Sequence, residues 1–231
     1  LENPDVDSNL RYECALILSG AAYFADEPDR CAALFEPWSE APPLREPMDR
    51  YATEQLHFTH GGFETPLPAD LAENAHVIRA FNVLRQYDES EVAEAWSRMQ
   101  SRLTADGMLI EGTCDEIGRL SSWITLDKNG PLSLTISMRL SGLDLPSKVA
   151  ERLPKALIHH NLSGEPIHEF LQALDTAWRT NAGLGSFGAA QRWVACCTQL
   201  TQAGWPLIGD KKRWRLGELT VDWAAVAPLL S

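Results

Sequence analysis

The chain has 231 residues, 45% of them apolar, with 20 basic against 32 acidic side chains and a net charge of −12. This is a globular composition, long enough for one α/β domain with a substantial core. So acidic a chain lacks the concentrated basic face that nucleic acid requires, and the single basic run, "DKKRWR" at 210–215, reads as a solvated loop. No secretory signal and no bilayer-spanning apolar run is present, so no membrane partner is expected. The five cysteines, Cys14, Cys31, Cys114, Cys196 and Cys197, fit neither a disulfide framework nor a zinc motif, and a cytoplasmic protein with reduced thiols is expected. The first residue is not methionine, which leaves room for an upstream segment.

In chain order, "ECALILSGAAYF" reads either as a strand, Cys14–Leu18, ending at Ser19-Gly20, or as a helix from Ser8 or Asn9 with Leu10, Cys14, Ile17, Leu18 and Ala21 on one face. Periodicity leaves both open. A short strand over Gln55–Thr59 turns at Gly61-Gly62. Val77–Val83 is the next strand, and its Arg79, Asn82 and the following Arg85 call for a sheet edge or a ligand. Asp88-Glu89-Ser90-Glu91 predicts a capped helix start, and Val92, Ala95, Trp96, Met99 and Leu103 mark one apolar face. "TADG" closes that helix, with Gly107 as a left-handed cap, and Met108–Cys114 is the following strand. Strand, crossover helix and strand imply parallel pairing. Asn129-Gly130 predicts a hairpin, with Pro131 shifting the turn away from the tight two-residue form. From Pro146 the chain reads as helical, ending in a short strand and a terminal helix. The expected architecture is a single α/β domain over 1–231: an ambiguous part at 1–54, a mixed-sheet core at 55–140 and a mainly helical part at 141–231.

In open α/β sheets ligands lie beyond the carboxyl ends of parallel strands. Asn82 and Arg85 fall at the end of one such strand, and Glu111, Thr113, Asp115 and Glu116 at the end of the next. Gly61 and Gly62, followed by Phe63 and Glu64, would let a ligand approach the backbone closely. The stretch "RAFNVLRQYDESEVAEAWSRMQSRLTADGMLIEGT" resembles the fourth strand, following helix and fifth strand of the class I S-adenosylmethionine-dependent methyltransferases. Asn82-Val83-Leu84 and Leu103–Gly107 stand where that family has its "N-V-L" and "L-x-P-G-G" phrases, the latter here without the proline and first glycine. "HFTHGGFETPLP" resembles the segment after the third strand, with Gly62 where an acid commonly reads the adenine. Convincing similarity covers roughly 55–140. The resemblance implies a methyltransferase-like, Rossmann-like fold and S-adenosylmethionine held by Gly20, Glu46, Gly62, Phe63, Glu64, Phe81 and Asn82. Arg85, Glu111 and Asp115 would face a small-molecule or other acceptor, and no catalytic base is assigned. The family's glycine-rich loop is reduced here to Gly20, and Arg45 or Glu46 falls where a ribose-binding acid stands. These departures carry a second expectation, a methyltransferase-fold binding or assembly module without catalysis.

Each candidate also has a plain structural reading. Asn82 can cap a strand end, Arg79 or Arg85 can pair with the acidic helix start, and Cys114 lacks an evident base. His159-His160 and His168, beside Glu165 or Glu169, lack the H-E-x-x-H spacing, and His57 and His60 straddle a strand and a turn, so no metal is expected. "GLGSFG" at 183–188 follows a helix rather than a strand and reads as a helix connection capped by Gly183. Trp96, Trp178, Trp193 and Trp223 fall on apolar helical faces, leaving Trp205 and Trp214 as surface candidates.

Overall fold

Residues 62–67 and 74–229 are described in this computed structural model. The chain divides into two compact units, Leu1–Ala75 and His76–Ser231. The strand expected at Gln55–Thr59 and the ambiguous first fifty residues lie outside the described residues. Of the first unit, Gly62–Leu67 is a turn in which Thr65 N donates to Gly62 O at 3.0 Å and Thr65 takes a φ of 39°.

In the second unit, period-2 alternation builds β1 (Ala75–Phe81), β2 (Leu103–Cys114), β3 (Leu120–Asp127), β4 (Gly130–Met138), β5 (Leu207–Ile208) and β6 (Glu218–Asp222). They form one sheet in the order β1-β2-β3-β4-β6-β5, with β1 and β2 parallel and the other pairs antiparallel. The expected parallel pair is therefore present, followed by an antiparallel meander. Alternate residues of the strands share one covered face: Leu109, Ile124, Leu134, Ile136, Leu219 and Val221 are all buried there. The other face carries hydroxyls and rings at intermediate burial, among them Ser121, Trp123 and Thr125. Among the described strands β1 stands at the end of the sheet order, with Val77 and Arg79 exposed and Ile78 and Ala80 buried. An end position answers why this strand tolerates arginines: the Arg79 guanidinium lies 3.8 Å over the Phe81 ring, open to water.

Helix α1 (Glu89–Ser101) begins with the expected capping box, Asp88 accepting from the Glu91 backbone and Glu91 from the Asp88 backbone. Val92, Ala95 and Met99 bury its inner stripe. Its end differs from expectation. The C-cap is Arg102, and Thr104–Gly107 belongs to β2, so Gly107 caps nothing. β2 pairing extends the ladder through a sequence that, taken locally, signals a turn. The β3–β4 hairpin also differs: Asp127 faces Gly130 across a two-residue Lys128-Asn129 loop. Asp127 Oδ1 accepts from the Asn129 and Gly130 N–H groups, and a register shift at Thr125/Leu126 absorbs Pro131, so the turn stays tight.

Beyond β4 come a 3₁₀ segment (Pro146–Arg152), α2 (Lys155–Ile158), α3 (Pro166–Thr180), α4 (Ala189–Gln202) and α5 (Lys211–Trp214). Buried Asp175 of α3 fixes the start of the 3₁₀ segment by accepting from both the N–H and the hydroxyl of Ser147, at 2.8 and 2.7 Å. Trp178 and Trp193 join α3 to α4 edge to face at 6.2 Å, and Arg192 stacks 3.7 Å over Trp178. The "GLGSFG" stretch does connect α3 to α4, but Gly188, at φ 105°, is the cap rather than Gly183. The basic run forms α5, with Asp210 capping it and Trp214 buried, because Trp214 belongs to the core beneath β6. The expected terminal helix is a single 3₁₀ turn, Trp223–Ala225. None of the described helices is long and apolar enough to cross a membrane.

Candidate functional site

The carboxyl ends of β1 and β2 gather several of the sequence candidates. β1 stops because Asn82 adopts a left-handed φ of 59°, a conformation asparagine tolerates better than most residues. Its backbone N–H donates to Gly112 O at 2.7 Å. Its side-chain oxygen accepts from Cys114 N at 2.9 Å, and its amide nitrogen donates to Cys114 Sγ at 3.3 Å. Asn82 thus locks the ends of the two parallel strands together. The group beside the Cys114 thiol is an amide, which cannot take its proton. Gly112, between these contacts, is required by a close approach: a Cβ there would come 2.5 Å from both Ser122 O and Trp123 Cβ. The Trp123 ring stands 6.2 Å from that of Phe81.

Glu111 belongs to the middle of this rim in sequence but not in space. It pairs with Ile124 on the covered face, is fully buried, and neither carboxyl oxygen has a hydrogen-bond partner among the described residues. Burial pushes its carboxyl up to about 8 from an ordinary 4.5. The nearby Trp96 indole N–H offsets a little of that push, yet its nitrogen closes no hydrogen bond. Glu111 is therefore a neutral acid at pH 7, sealed under α1. Its neighbours Thr113 and Ser122, register partners on adjacent strands, both donate to the Arg152 carbonyl and dock the end of the 3₁₀ segment on the sheet.

Asp115 and Arg85 part company. Arg85 sits half-buried in a 3₁₀ turn, Leu84–Gln86, after β1. Asp115 opens the β2–β3 connection, where its Oδ1 accepts from Arg119 N at 2.7 Å. It also lines a cleft of about 470 Å³ bounded by the β2–β3 connection, the end of β4 and the 3₁₀ segment. Arg119, Arg139, Lys148 and Arg152 contribute its cations, and Glu116 reaches Arg152 at 3.5 Å. Sequence reasoning named only Asp115 and Glu116 here. Arg119 and Arg139 stand 20 positions apart in the chain. Counting outward from the hairpin would set Arg119 against Met138, and only the register shift at Thr125/Leu126 brings it to Arg139, next to the Leu120↔Met138 pair.

Of the remaining candidates, Gly20 and Glu46 lie outside the described residues. Gly62, Phe63 and Glu64 form the turn of the first unit, in which Glu64 Oε1 accepts from Gly62 N at 2.8 Å. His159 and His160 meet Glu89 at the start of α1, at 3.0 and 2.6 Å, and His168 meets Asn161 at 3.1 Å. Among the described residues, no three His, Cys, Asp or Glu side chains converge to hold a metal ion. Comparison with family models, with curated proteins and with solved structures finds no match to this chain.

Proposed function

We propose that this chain is a methyltransferase-like domain that uses S-adenosylmethionine to methylate a small-molecule or other acceptor. The observation carrying the reading is the β1–α1–β2 unit, a parallel strand pair joined by a crossover helix, and in such sheets ligands usually lie beyond the carboxyl ends of the strands. The "AFNVL" and "EGT" phrases that resemble the family fall at those two strand ends. The cofactor's sulfonium would supply the methyl group, leaving the protein to position the acceptor. The fit of the candidate residues is partial. Phe81 offers a ring, while the Asn82 amide is spent on Cys114 and Glu111 is sealed.

That spent amide favours a second reading, a binding or assembly module that keeps the strand-end architecture without the cofactor. Calorimetric titration with S-adenosylmethionine and S-adenosylhomocysteine separates the two. Saturable heat with a one-to-one endpoint is expected for the enzyme; silence at millimolar ligand would overturn it in favour of the module.

A further inference from the structure

We propose that the cleft between the β2–β3 connection, the end of β4 and the 3₁₀ segment binds a small organic phosphate through Arg119, Arg139 and Lys148. Arg119 and Arg139 flank the Leu120↔Met138 pair, and Arg139 N donates to Arg119 O at 2.7 Å, extending the ladder by one step. They are thus cross-strand neighbours, whose Cβ atoms approach to about 5 Å in antiparallel pairs. Like charges in that position repel. An arrangement of this kind normally brings an acid to one of the two, yet neither guanidinium, nor the Lys148 ammonium, makes an ion pair with a described residue. Of the carboxylates nearest Arg119 in sequence, Asp115 takes its backbone N–H and Glu116 takes Arg152, while Asp144 and Glu151, nearest Arg139 and Lys148, line the same cleft without closing an ion pair to them. Three cations without an ion pair to a described residue therefore line one cleft of about 470 Å³, a volume suited to a small ligand.

Each guanidinium presents a fork of N–H donors that matches a phosphate's oxygens, and a dianion between two of them would relieve their repulsion. The acids Asp144 and Glu151 on the same rim would accept hydrogen bonds from hydroxyl or amino groups elsewhere on the ligand. The chain's net charge of −12 repels anions in general, so retention of one here demands a local cluster such as this. The inference needs no cofactor and stands or falls apart from the methyltransferase reading.

The test is calorimetric titration of the full chain with pyrophosphate at low salt, beside citrate and beside sodium chloride at matched ionic strength. Wild-type protein should give saturable one-to-one heat with pyrophosphate, and Arg119→Gln or Arg139→Gln should weaken it at least tenfold. In the absence of any anion each variant should melt at or above the wild-type temperature, since it removes a repulsive neighbour. Equal affinity for citrate would reduce the cleft to a general charge sink and overturn the proposal. So would unchanged affinity in both variants, silence at millimolar pyrophosphate, or a lowered melting temperature of the anion-free variants, which would make the arginines structural.

Discussion

Replacing Glu111 by glutamine keeps the shape of the side chain and removes its ability to ionise. In the folded protein the carboxyl holds its proton up to about pH 8, whereas the ordinary value is 4.5. The native state therefore binds a proton that the unfolded chain loses first. Stability is full below the ordinary value and is lost as pH rises toward 8. Each pH unit in that window costs about 1.4 kcal/mol, which amounts to about 3 kcal/mol at pH 7. The glutamine amide is left as unpartnered as the neutral acid it replaces, so that cost largely cancels. Glu111→Gln should consequently be more stable than wild type by about 2–3 kcal/mol at pH 7, with the difference vanishing near pH 4.5. Urea denaturation at half-unit steps from pH 4.5 to 9 reads both curves directly. Parallel curves across that range, or a glutamine variant less stable at pH 7, would refute the reasoning. Either would mean that the carboxylate is ionised and paired in the native state.

Gly112→Ala should cost about 2–3 kcal/mol in chemical denaturation, because the new methyl group meets Ser122 O and Trp123 Cβ at 2.5 Å and neither backbone can retreat without breaking the β2–β3 ladder. Asn82→Ala should lower stability by about 2–3 kcal/mol through the unpaired Cys114 N–H and the left-handed backbone, and Asn82→Gly should recover only the backbone share; equal stabilities for Ala and Gly would remove the φ argument. Arg192→Lys should cost about 1–2 kcal/mol by thermal melting, since lysine cannot reproduce the two bonds to Trp178 O at 2.9 and 2.6 Å while lying over the ring. A neutral result there would show the stack to be incidental.

Local chemistry alone determined several features of this protein. The Asp88/Glu91 capping box, the apolar stripe of α1, the parallel pairing that a crossover helix enforces and the hairpin near Asn129-Gly130 all follow from spacing and side-chain type. Such interactions span a few residues, so the sequence displays both partners at once. The structure decided what depends on distant neighbours. Thr104–Gly107, a turn by composition, became strand because β2 runs twelve residues along its sheet. Trp214, in a basic run, turned inward, since the core beneath β6 takes it up. Glu111 and Asn82, both strand-end candidates on the same rim, separated by face: period 2 places Glu111 under α1, and a left-handed backbone turns Asn82 onto Cys114. Whether a strand-end polar group serves a ligand or its own backbone is a question of which partners tertiary packing brings within 3 Å, and no spacing in the sequence encodes that. The Arg119–Arg139 pair shows the same limit from the other side: two unremarkable arginines, 20 positions apart, become a charged cluster only once the bulged hairpin sets their register.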